Sequence, residues 1–342
     1  MGEFELIRRF FTRPTPQAVL GVGDDCALLQ PGEGMQMAIS TDMLVAGRHF
    51  FPDADPRSLG HKALAVNLSD LAACGARPVA FTLALSLPTA DVHWCQAFSE
   101  GLLALADAHG CELIGGDTTQ GPLNICITVF GEVPIGAPLR AGQPATQAIL
   151  RSGAQAGDDI YVSGTLGDAR LALEALQCRM TLPEEVLHLA RQRLEQPTPR
   201  VGLGLALRGI ASAAADISDG LLGDLGHILQ RSGVGATLDT SIAITLIASC
   251  VYSTRAGGQF DSYFSTQVAL QCVLSGGDDY ELVFTAPADA RAAVQAASLA
   301  SGTTVTRVGQ IDAAPGLRLI DAHGAPVANT FASFDHFAHR PD

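Results

Sequence analysis

Six short clusters that combine aspartate with glycine or a hydroxyl residue recur from one end of this 342-residue chain to the other. Glycine permits tight turns and close approach of the backbone, and carboxylate oxygens are the ligands that Mg²⁺ prefers. The clusters therefore predict loops that bind a divalent cation and phosphate oxygens, provided that the fold gathers several of them. They read Gly21-Val22-Gly23-Asp24-Asp25, Ser40-Thr41-Asp42, Asn67-Leu68-Ser69-Asp70, Gly115-Gly116-Asp117-Thr118-Thr119, Asp216-Ile217-Ser218-Asp219-Gly220 and Ser275-Gly276-Gly277-Asp278-Asp279.

The composition is that of a globular protein with a large core, since 47% of the residues are apolar and 16% are charged. A chain of 342 residues predicts two domains. The formal net charge of −14 argues against nucleic acids and anionic membranes as partners. Lys62 is the only lysine, and it follows Gly60-His61 rather than the glycine-rich loop of a P-loop enzyme, which excludes that class.

The sequence predicts neither export nor a membrane anchor. The first residues lack the basic and apolar regions of a signal peptide, and every apolar run is interrupted well short of a membrane span. The eight cysteines form no Cys-x-x-Cys pair, and most lie in apolar runs, as buried thiols in a reducing compartment do. We therefore expect a cytoplasmic protein.

Helix and strand patterns intermix along the chain, which predicts an α/β (α+β) fold with two domains. A segment with three prolines and two glycines, 134–147, separates an N-terminal domain at 1–137 from a C-terminal domain at 148–342. We predict helices that begin at Ser58, Asp91 and Pro183, and others at 166–176, 201–214, 220–231 and 287–300. Strands are predicted at 26–29, 36–41, 81–87, 111–114, 124–133, 159–163, 234–239, 280–285 and 304–311.

Each cluster alone also has a purely structural explanation. A glycine–aspartate run forms hairpin turns, and Ser218 or Asp219 is a natural N-cap for the next helix. Asp70, in an otherwise apolar helix, either faces solvent or is paired, because a lone buried carboxylate is costly. Two carboxylates about 4 Å apart repel by roughly 4 kcal/mol at an effective dielectric of about 20, so gathered aspartates would need cations. His49 and Arg151 are candidate phosphate contacts or, alternatively, solvated surface residues.

Seven segments taken together resemble the thiamine-monophosphate kinase family, in that family's order and over almost the whole chain. The wider superfamily includes aminoimidazole ribonucleotide synthetase, selenophosphate synthetase and a hydrogenase-maturation protein. The segments are 21–29 (GVGDDCALL), 39–50 (ISTDMLVAGRHF), 62–73 (KALAVNLSDLAA), 113–119 (LIGGDTT), 216–221 (DISDGL), 274–282 (LSGGDDYEL) and 334–337 (FDHF).

The resemblance implies that ATP phosphorylates thiamine monophosphate with several Mg²⁺ ions, and that the N-terminal domain pairs with its twin in a β-barrel interface of a homodimer. Because the acceptor is already a phosphate anion, we expect direct in-line transfer without a phospho-enzyme. The implied metal ligands are Asp25, Thr41, Asp42, Asp70, Asp117, Asp216 and Asp219. The implied ATP contacts are Gly116, Asp117, Arg151 and Ser218, and the implied acceptor contacts are His49, Asp278 and Phe334.

Three positions depart from the family's pattern. Asp278 occupies a position where the family often has glutamate, and Phe334 one where it often has tryptophan or tyrosine. His109 occupies the position of a tyrosine that packs near the nucleotide in some relatives. Two alternative functions also remain open. Aminoimidazole ribonucleotide synthetase is the enzymatic one, because the reactive N-terminal loop of selenophosphate synthetase and the C-terminal cysteine of the hydrogenase-maturation protein are missing. The other is a dimeric regulatory protein that binds divalent cations without turnover.

Overall fold

The computed structural model describes residues 2–136, 145–247 and 265–331. Phe334 with its motif, and residues 137–144 of the predicted linker, therefore lie outside the described residues. The described chain has two halves, each built on one sheet. No helix in these ranges is both long and apolar enough to cross a membrane.

The N-terminal half consists of a four-stranded sheet with two long helices on one face. A one-turn helix, α1 (Glu3–Leu6), continues as a π-helix (Ile7–Phe11) at the start of the chain. The further elements are β1 (Met35–Val45), α2 (Pro56–Ala73), β2 (Arg77–Leu87), α3 (Val92–Ala108), β3 (Glu112–Gln120) and β4 (Asn124–Pro134). The strand order is β1-β4-β2-β3, in which only β2 and β3 are parallel.

The C-terminal half contains a seven-stranded mixed sheet with the order β11-β10-β7-β9-β5-β8-β6. Its strands are β5 (Asp159–Ser163), β6 (Ala213–Ile217), β7 (Gly235–Asp239), β8 (Glu281–Ala286), β9 (Val305–Asp312), β10 (Gly316–Ile320) and β11 (Pro326–Val327). Its helices are α4 (Asp168–Leu176), α5 (Glu184–Glu195), α6 (Val201–Ala206), α7 (Leu221–Ser232), α8 (Thr240–Ala243), α9 (Thr266–Ser275) and α10 (Arg291–Ser301), with short 3₁₀ turns at Ile244–Leu246 and Ala288–Ala290.

Helix α2 lies between the two halves and is buried on nearly all sides. Its Leu64 and Leu68 belong to one continuous core that also includes Phe284 of β8. A helix that is apolar all round is typical of such an interior position. The polar Lys62 and Asn67 of the same helix are also buried, so α2 carries polar groups into the junction of the halves.

The α2–α3 crossing depends on two glycines. A Cβ atom on Gly101 would lie 1.9 Å from the carbonyl oxygen of Arg57, and one on Gly60 would lie 2.1 Å from the carbonyl oxygen of Phe98. Only glycine permits this separation of the two backbones. The crossing fixes α2 on the N-terminal sheet, and with it the side chains that α2 contributes to the site.

Most predicted elements are confirmed, including β5 and the Asp91 cap of α3, whose carboxylate accepts hydrogen bonds from the next helical amides. Helix α2 begins earlier than predicted, because Asp55 rather than Ser58 is its N-cap. The prediction of a strand at 26–29 is wrong, since Leu28 forms only an isolated bridge with Leu20. Helix α9 and strand β10 were not predicted.

The predicted helix at 201–214 is also wrong in its second part. Helix α6 ends at Ala206, and 213–217 forms the edge strand β6, which pairs with β8. Alanine favours helix in isolation, but tertiary packing overrides that preference. In β6 the small side chains of Ala213 to Ala215 are buried, and α2 packs against this strand.

Candidate active site

Three aspartates from three elements lie close together at the junction of the halves: Asp42 of β1, Asp70 of α2 and Asp216 of β6. The Asp42 backbone amide donates a hydrogen bond to Asn67 Oδ1 (3.0 Å). The Ser40 hydroxyl donates to Asp70 Oδ2 at 2.5 Å. Both bonds join β1 to α2. We call these three aspartates, together with Asp219 in the loop after β6, the acidic cluster.

The acidic cluster has perturbed protonation equilibria. Burial, followed by the charges of Asp70 and Asp219, raises the pKa of Asp42 to about 6. Burial likewise raises the pKa of Asp216 well above its usual range, and the nearby carboxylates add to the effect. The pKa of Asp70 is also raised by burial, against the lowering effects of the Ser40 hydroxyl and Arg151. Divalent cations would relieve this repulsion.

Asp224, in the first turn of α7, is a site residue that the sequence analysis missed. Its Oδ2 accepts hydrogen bonds from the backbone amides of Ser218 (3.1 Å) and Asp219 (3.0 Å), so it shapes the loop that carries both. Burial raises its pKa to about 7, even though these amides favour the charged form. The sequence offered only a weak signal, because an acidic residue in a first helical turn is common and needs no special role.

The predicted ligand Thr41 faces the other side of the N-terminal sheet, which we call the outer face. Its hydroxyl oxygen lies 2.8 Å from Thr128 Oγ1. Successive residues of a strand point to opposite faces, so Thr41 points away from Asp42. Asp117 is paired with the exposed Ala84 and is itself exposed, which places its side chain on the outer face as well.

The two glycine-containing clusters of the N-terminal half belong to this outer face. The Gly115-Gly116-Asp117 cluster lies within β3, not in a loop after a strand as we predicted, and Gly116 has a φ of +149°. Asp25 is exposed, in a segment whose Ala27 and Leu29 pack with Ile114 on the outer face. The predicted metal ligands are thus divided between the two faces of one sheet.

Two of the predicted ATP contacts accompany the acidic cluster. The charge of Arg151 lowers the pKa values of Asp70 and Asp224, which places its guanidinium close to both. Ser218 belongs to the loop that Asp224 holds. Gly116 and Asp117 lie in β3 instead, with the Asp117 side chain on the outer face. His109 is the C-cap residue of α3.

The donor set of the acidic cluster suits Mg²⁺, which is commonly held by one or two carboxylates together with phosphate oxygens and water. Within the residues that the structure describes, no three Asp, Glu, His or Cys side chains are arranged to hold a metal ion by themselves. The half-buried Asp42 and Asp70 and the buried Asp216 supply hard oxygen ligands in a setting where a cation would offset their repulsion.

A cavity of about 740 Å³ lies between the halves, bounded by the loop before α2 and by α4 and α5. Two of the predicted contacts to thiamine monophosphate, His49 and Asp278, line this cavity, and so do Phe50 and Phe51. The His49 ring is held by the Val45 backbone amide, which donates to Nδ1 at 3.0 Å. Ring surfaces and charged groups of both signs suit a small aromatic ligand that carries a phosphate.

The loop that carries Asp278 connects this cavity to the acidic cluster. The Asp278 backbone amide donates to the carbonyl oxygen of Ser218 at 2.9 Å, and the Tyr280 amide donates to that of Ile217, also at 2.9 Å. The charges of Asp278, Asp42 and Asp216 all act on the Tyr280 hydroxyl, whose pKa burial raises well above its ordinary value. The cavity, which we call the acceptor cavity because the predicted acceptor contacts His49 and Asp278 line it, is therefore adjacent to the acidic cluster.

Comparison with known proteins gives consistent results across the chain. Residues 23–133 match the family model of the AIR synthase related protein, N-terminal domain, and 155–322 match that of the C-terminal domain. The thiamine-monophosphate kinase of Salmonella typhimurium is 46% identical over 342 residues, with 98% of each chain covered.

Two solved structures have the same fold. The crystal structure of thiamine-monophosphate kinase from Stenotrophomonas maltophilia is 44% identical, with a TM-score of 0.77 and coverage of 92% of this chain and 94% of that one. AaThiL complexed with AMPPCP and TMP is 28% identical, with a TM-score of 0.71 and coverage of 89% and 88%. Since identity this high extends over nearly the whole length, the chain belongs to the thiamine-monophosphate kinase family.

Proposed function

We propose that this chain is a kinase that transfers the γ-phosphoryl group of ATP to thiamine monophosphate, giving thiamine diphosphate and ADP as the last step of thiamine diphosphate biosynthesis. The names of its relatives support this activity, and so does the relative that was solved with AMPPCP and TMP. The observation that carries the proposal is the position of the acceptor cavity beside the acidic cluster, joined by the Asp278 loop.

We further propose that Asp42, Asp70, Asp216 and Asp219 hold Mg²⁺ ions. When bound there, the ions would neutralise charge on the phosphates of both substrates. Asp25, Thr41 and Asp117 remain predicted ligands; their position at the outer face favours a separate part of the metal–nucleotide site. The aspartates act as a scaffold, not as nucleophiles, so transfer is direct and in line. Trapping an aspartyl-phosphate during turnover would contradict this.

The chain's other groups bind and orient the two substrates. Arg151 and Ser218, next to the acidic cluster, are proposed to contact ATP, together with Gly116 and Asp117. His49, Asp278 and Phe334 are proposed to hold thiamine monophosphate; the first two line the cavity. Once both substrates are bound, the main remaining role of the protein is to align them, because the acceptor phosphate needs no strong base.

We propose a homodimer, formed through the outer face, that works in the cytoplasm. The exposed apolar side chains Ile39 and Met43 on β1 support that interface, because a partner sheet packed on this face would bury them. The paired sheets would form the β-barrel interface that the resemblance implies. The proposed domains, 1–137 and 148–342, each contain one of the two sheets and one of the matched family models.

The test is an ADP-release assay with ATP, Mg²⁺ and thiamine monophosphate. Asp42→Ala and Asp70→Ala are each expected to lower kcat by at least about 100-fold, because each removes charge that holds the metal. Asp289→Ala, on an exposed turn, is the matched control and should retain activity. Release of ADP only with formylglycinamidine ribonucleotide would favour aminoimidazole ribonucleotide synthetase, and ATP binding without ADP release from either acceptor would favour the regulatory protein.

A further inference from the structure

We propose that Lys62 is a positioning residue of the acceptor site, which orients the Asp278 carboxylate toward thiamine monophosphate from the opposite half of the molecule. This inference rests on the proposed function. Lys62 Nζ lies 2.8 Å from Asp278 Oδ1, and the two residues are 216 positions apart in the sequence. Both residues line the acceptor cavity.

The Lys62 side chain is 5% exposed and that of Asp278 is 31% exposed, so the lysine lies behind the carboxylate and the carboxylate is accessible from the cavity. Removing an ammonium group from water is costly unless a carboxylate compensates for it, which makes the pair persistent. Tyr280 Oη also contacts Asp278 Oδ1, at 3.4 Å. Because both contacts are made to Oδ1, Oδ2 is the oxygen that the loop offers to a ligand.

The rest of the Asp278 loop is held from the C-terminal half. Asp278 and Tyr280 have positive φ values of 67° and 51°, which are unusual for residues with side chains. Between them, the buried Asp279 carboxylate accepts a hydrogen bond from the backbone amide of Gly167 at 3.0 Å. The following Glu281 is fully buried and forms ion pairs with Arg193 and Arg200. Such strain persists only where the surroundings over-determine the conformation.

The C-terminal half thus holds one side of the Asp278 loop, and Lys62 of α2 contacts the loop from the other side. Without its ammonium, Asp278 keeps its backbone conformation, but its carboxylate loses the charge that fixes its rotamer. Acceptor binding should weaken, whereas nucleotide binding should not, because Asp42 and Asp70 of the acidic cluster are held by bonds that do not involve Lys62. This selectivity distinguishes positioning from a general role in stability.

The kinetic test compares Lys62→Met, Asp278→Asn and the double variant. Lys62→Met is expected to raise the KM for thiamine monophosphate about tenfold or more, with the KM for ATP changed less than about twofold. The double variant should have the acceptor KM of Asp278→Asn, because Lys62 acts through that carboxylate. Lys62→Arg, which keeps the charge, should recover part of the loss. Unchanged acceptor KM in Lys62→Met, or effects that multiply in the double variant, would overturn the inference.

Arg57→Met is the matched control, since Arg57 lies on the same helix and forms an exposed ion pair with Glu100. It should leave both KM values unchanged. If the wild-type protein releases no ADP with thiamine monophosphate, the proposed function itself fails. If the wild type is active and the variants do not show the selective effect, only the Lys62 inference fails.

A second readout needs no lysine variant. Because Lys62 is the only lysine, labelling with [13Cε]lysine gives one side-chain NMR signal. That signal should shift in Asp278→Asn and on titration of the wild type with thiamine monophosphate, but not with AMPPCP alone. A signal that thiamine monophosphate leaves unmoved would refute the positioning role even if Lys62→Met failed to fold.

Discussion

At the scale of single residues, the acidic cluster costs stability in the absence of metal. Burial and two neighbouring carboxylates raise the pKa of Asp42 from 3.8 to about 6. Between these pH values the folded protein binds more protons than the unfolded chain, so this residue lowers stability as pH rises through that interval. A site built to hold cations is therefore strained until they bind, a common trade of stability for function.

We expect Asp42→Asn to raise the Tm of the metal-free protein by about 2 °C or more at about pH 7.5, since it removes a charge that repels Asp70 and Asp219. The same variant should lose ADP release. In wild type, Mg²⁺ should raise Tm more at about pH 8 than at about pH 5, because protons compete for the same oxygens. Differential scanning fluorimetry in EDTA or Mg²⁺ measures both effects.

The control for this experiment is Asp289→Asn, which removes an exposed carboxylate outside the site and should leave the Tm difference between EDTA and Mg²⁺ intact. A lower Tm for metal-free Asp42→Asn at about pH 7.5 would contradict the argument. It would mean that the Asp42 carboxylate contributes more through its contacts than it costs through burial and repulsion.

The sequence showed which residues were candidates for the site more readily than which residues they contact in the folded protein. The clusters around Asp42, Asp70 and Asp216 were singled out because aspartate recurs with glycine or hydroxyl residues along the chain, and the fold does bring these three together. Whether Asp70 faced solvent could not be decided, because the answer depends on how the second half covers α2. The Lys62–Asp278 pair left no local signal at all, since its partners are 216 residues apart.

At the scale of elements, the packing of α2 decides where the site forms. Periodicity predicted its presence, whereas its crossing with α3 depends on Gly60 and Gly101, whose role appears only in the assembled pair. For the same reason the first two residues of β6, Ala213 and Ala214, were predicted as the end of a helix. Its alanines were interpreted by local propensity, while their burial under α2 is a tertiary effect.

We predict that Gly101→Ala lowers the free energy of unfolding by about 2 kcal/mol or more, because the added methyl group would overlap the Arg57 carbonyl. Gly226→Ala is the matched control within a helix of the C-terminal half. A Cβ there has nothing within 4 Å, so it should instead stabilise the protein by about 0.5–1 kcal/mol. Urea denaturation followed by circular dichroism gives both values. Equal effects of the two substitutions would mean that α2 and α3 shift apart at little cost.

At the scale of the whole molecule, the two halves share a core around α2 and enclose the acceptor cavity, while the N-terminal sheet leaves the β1 part of its outer face exposed. Ile39 is 62% exposed and Met43 is 53% exposed on that face. Alternation along the pattern 36–41 predicted a strand there but not its full extent, since β1 continues to Val45. Thr41 and Asp117 lie on the same face, so a partner subunit bound there would also adjoin the glycine clusters.

The dimer is tested by Ile39→Asp combined with Met43→Asp. Two charges placed in a desolvated interface should weaken association by at least about 30-fold, so light scattering after gel filtration should find monomers at micromolar concentration where wild type is dimeric. Leu299→Asp, which replaces a leucine on α10 that is more exposed than either residue, should remain dimeric. Because Thr41 lies between the changed residues on β1 and Asp117 lies on the same face of the sheet, the monomer should also bind ATP more weakly, with a KM for ATP that falls as protein concentration restores the dimer. A wild-type protein that is monomeric at high concentration would refute the interface. A monomeric variant with unchanged ATP kinetics would instead separate the interface from the nucleotide site.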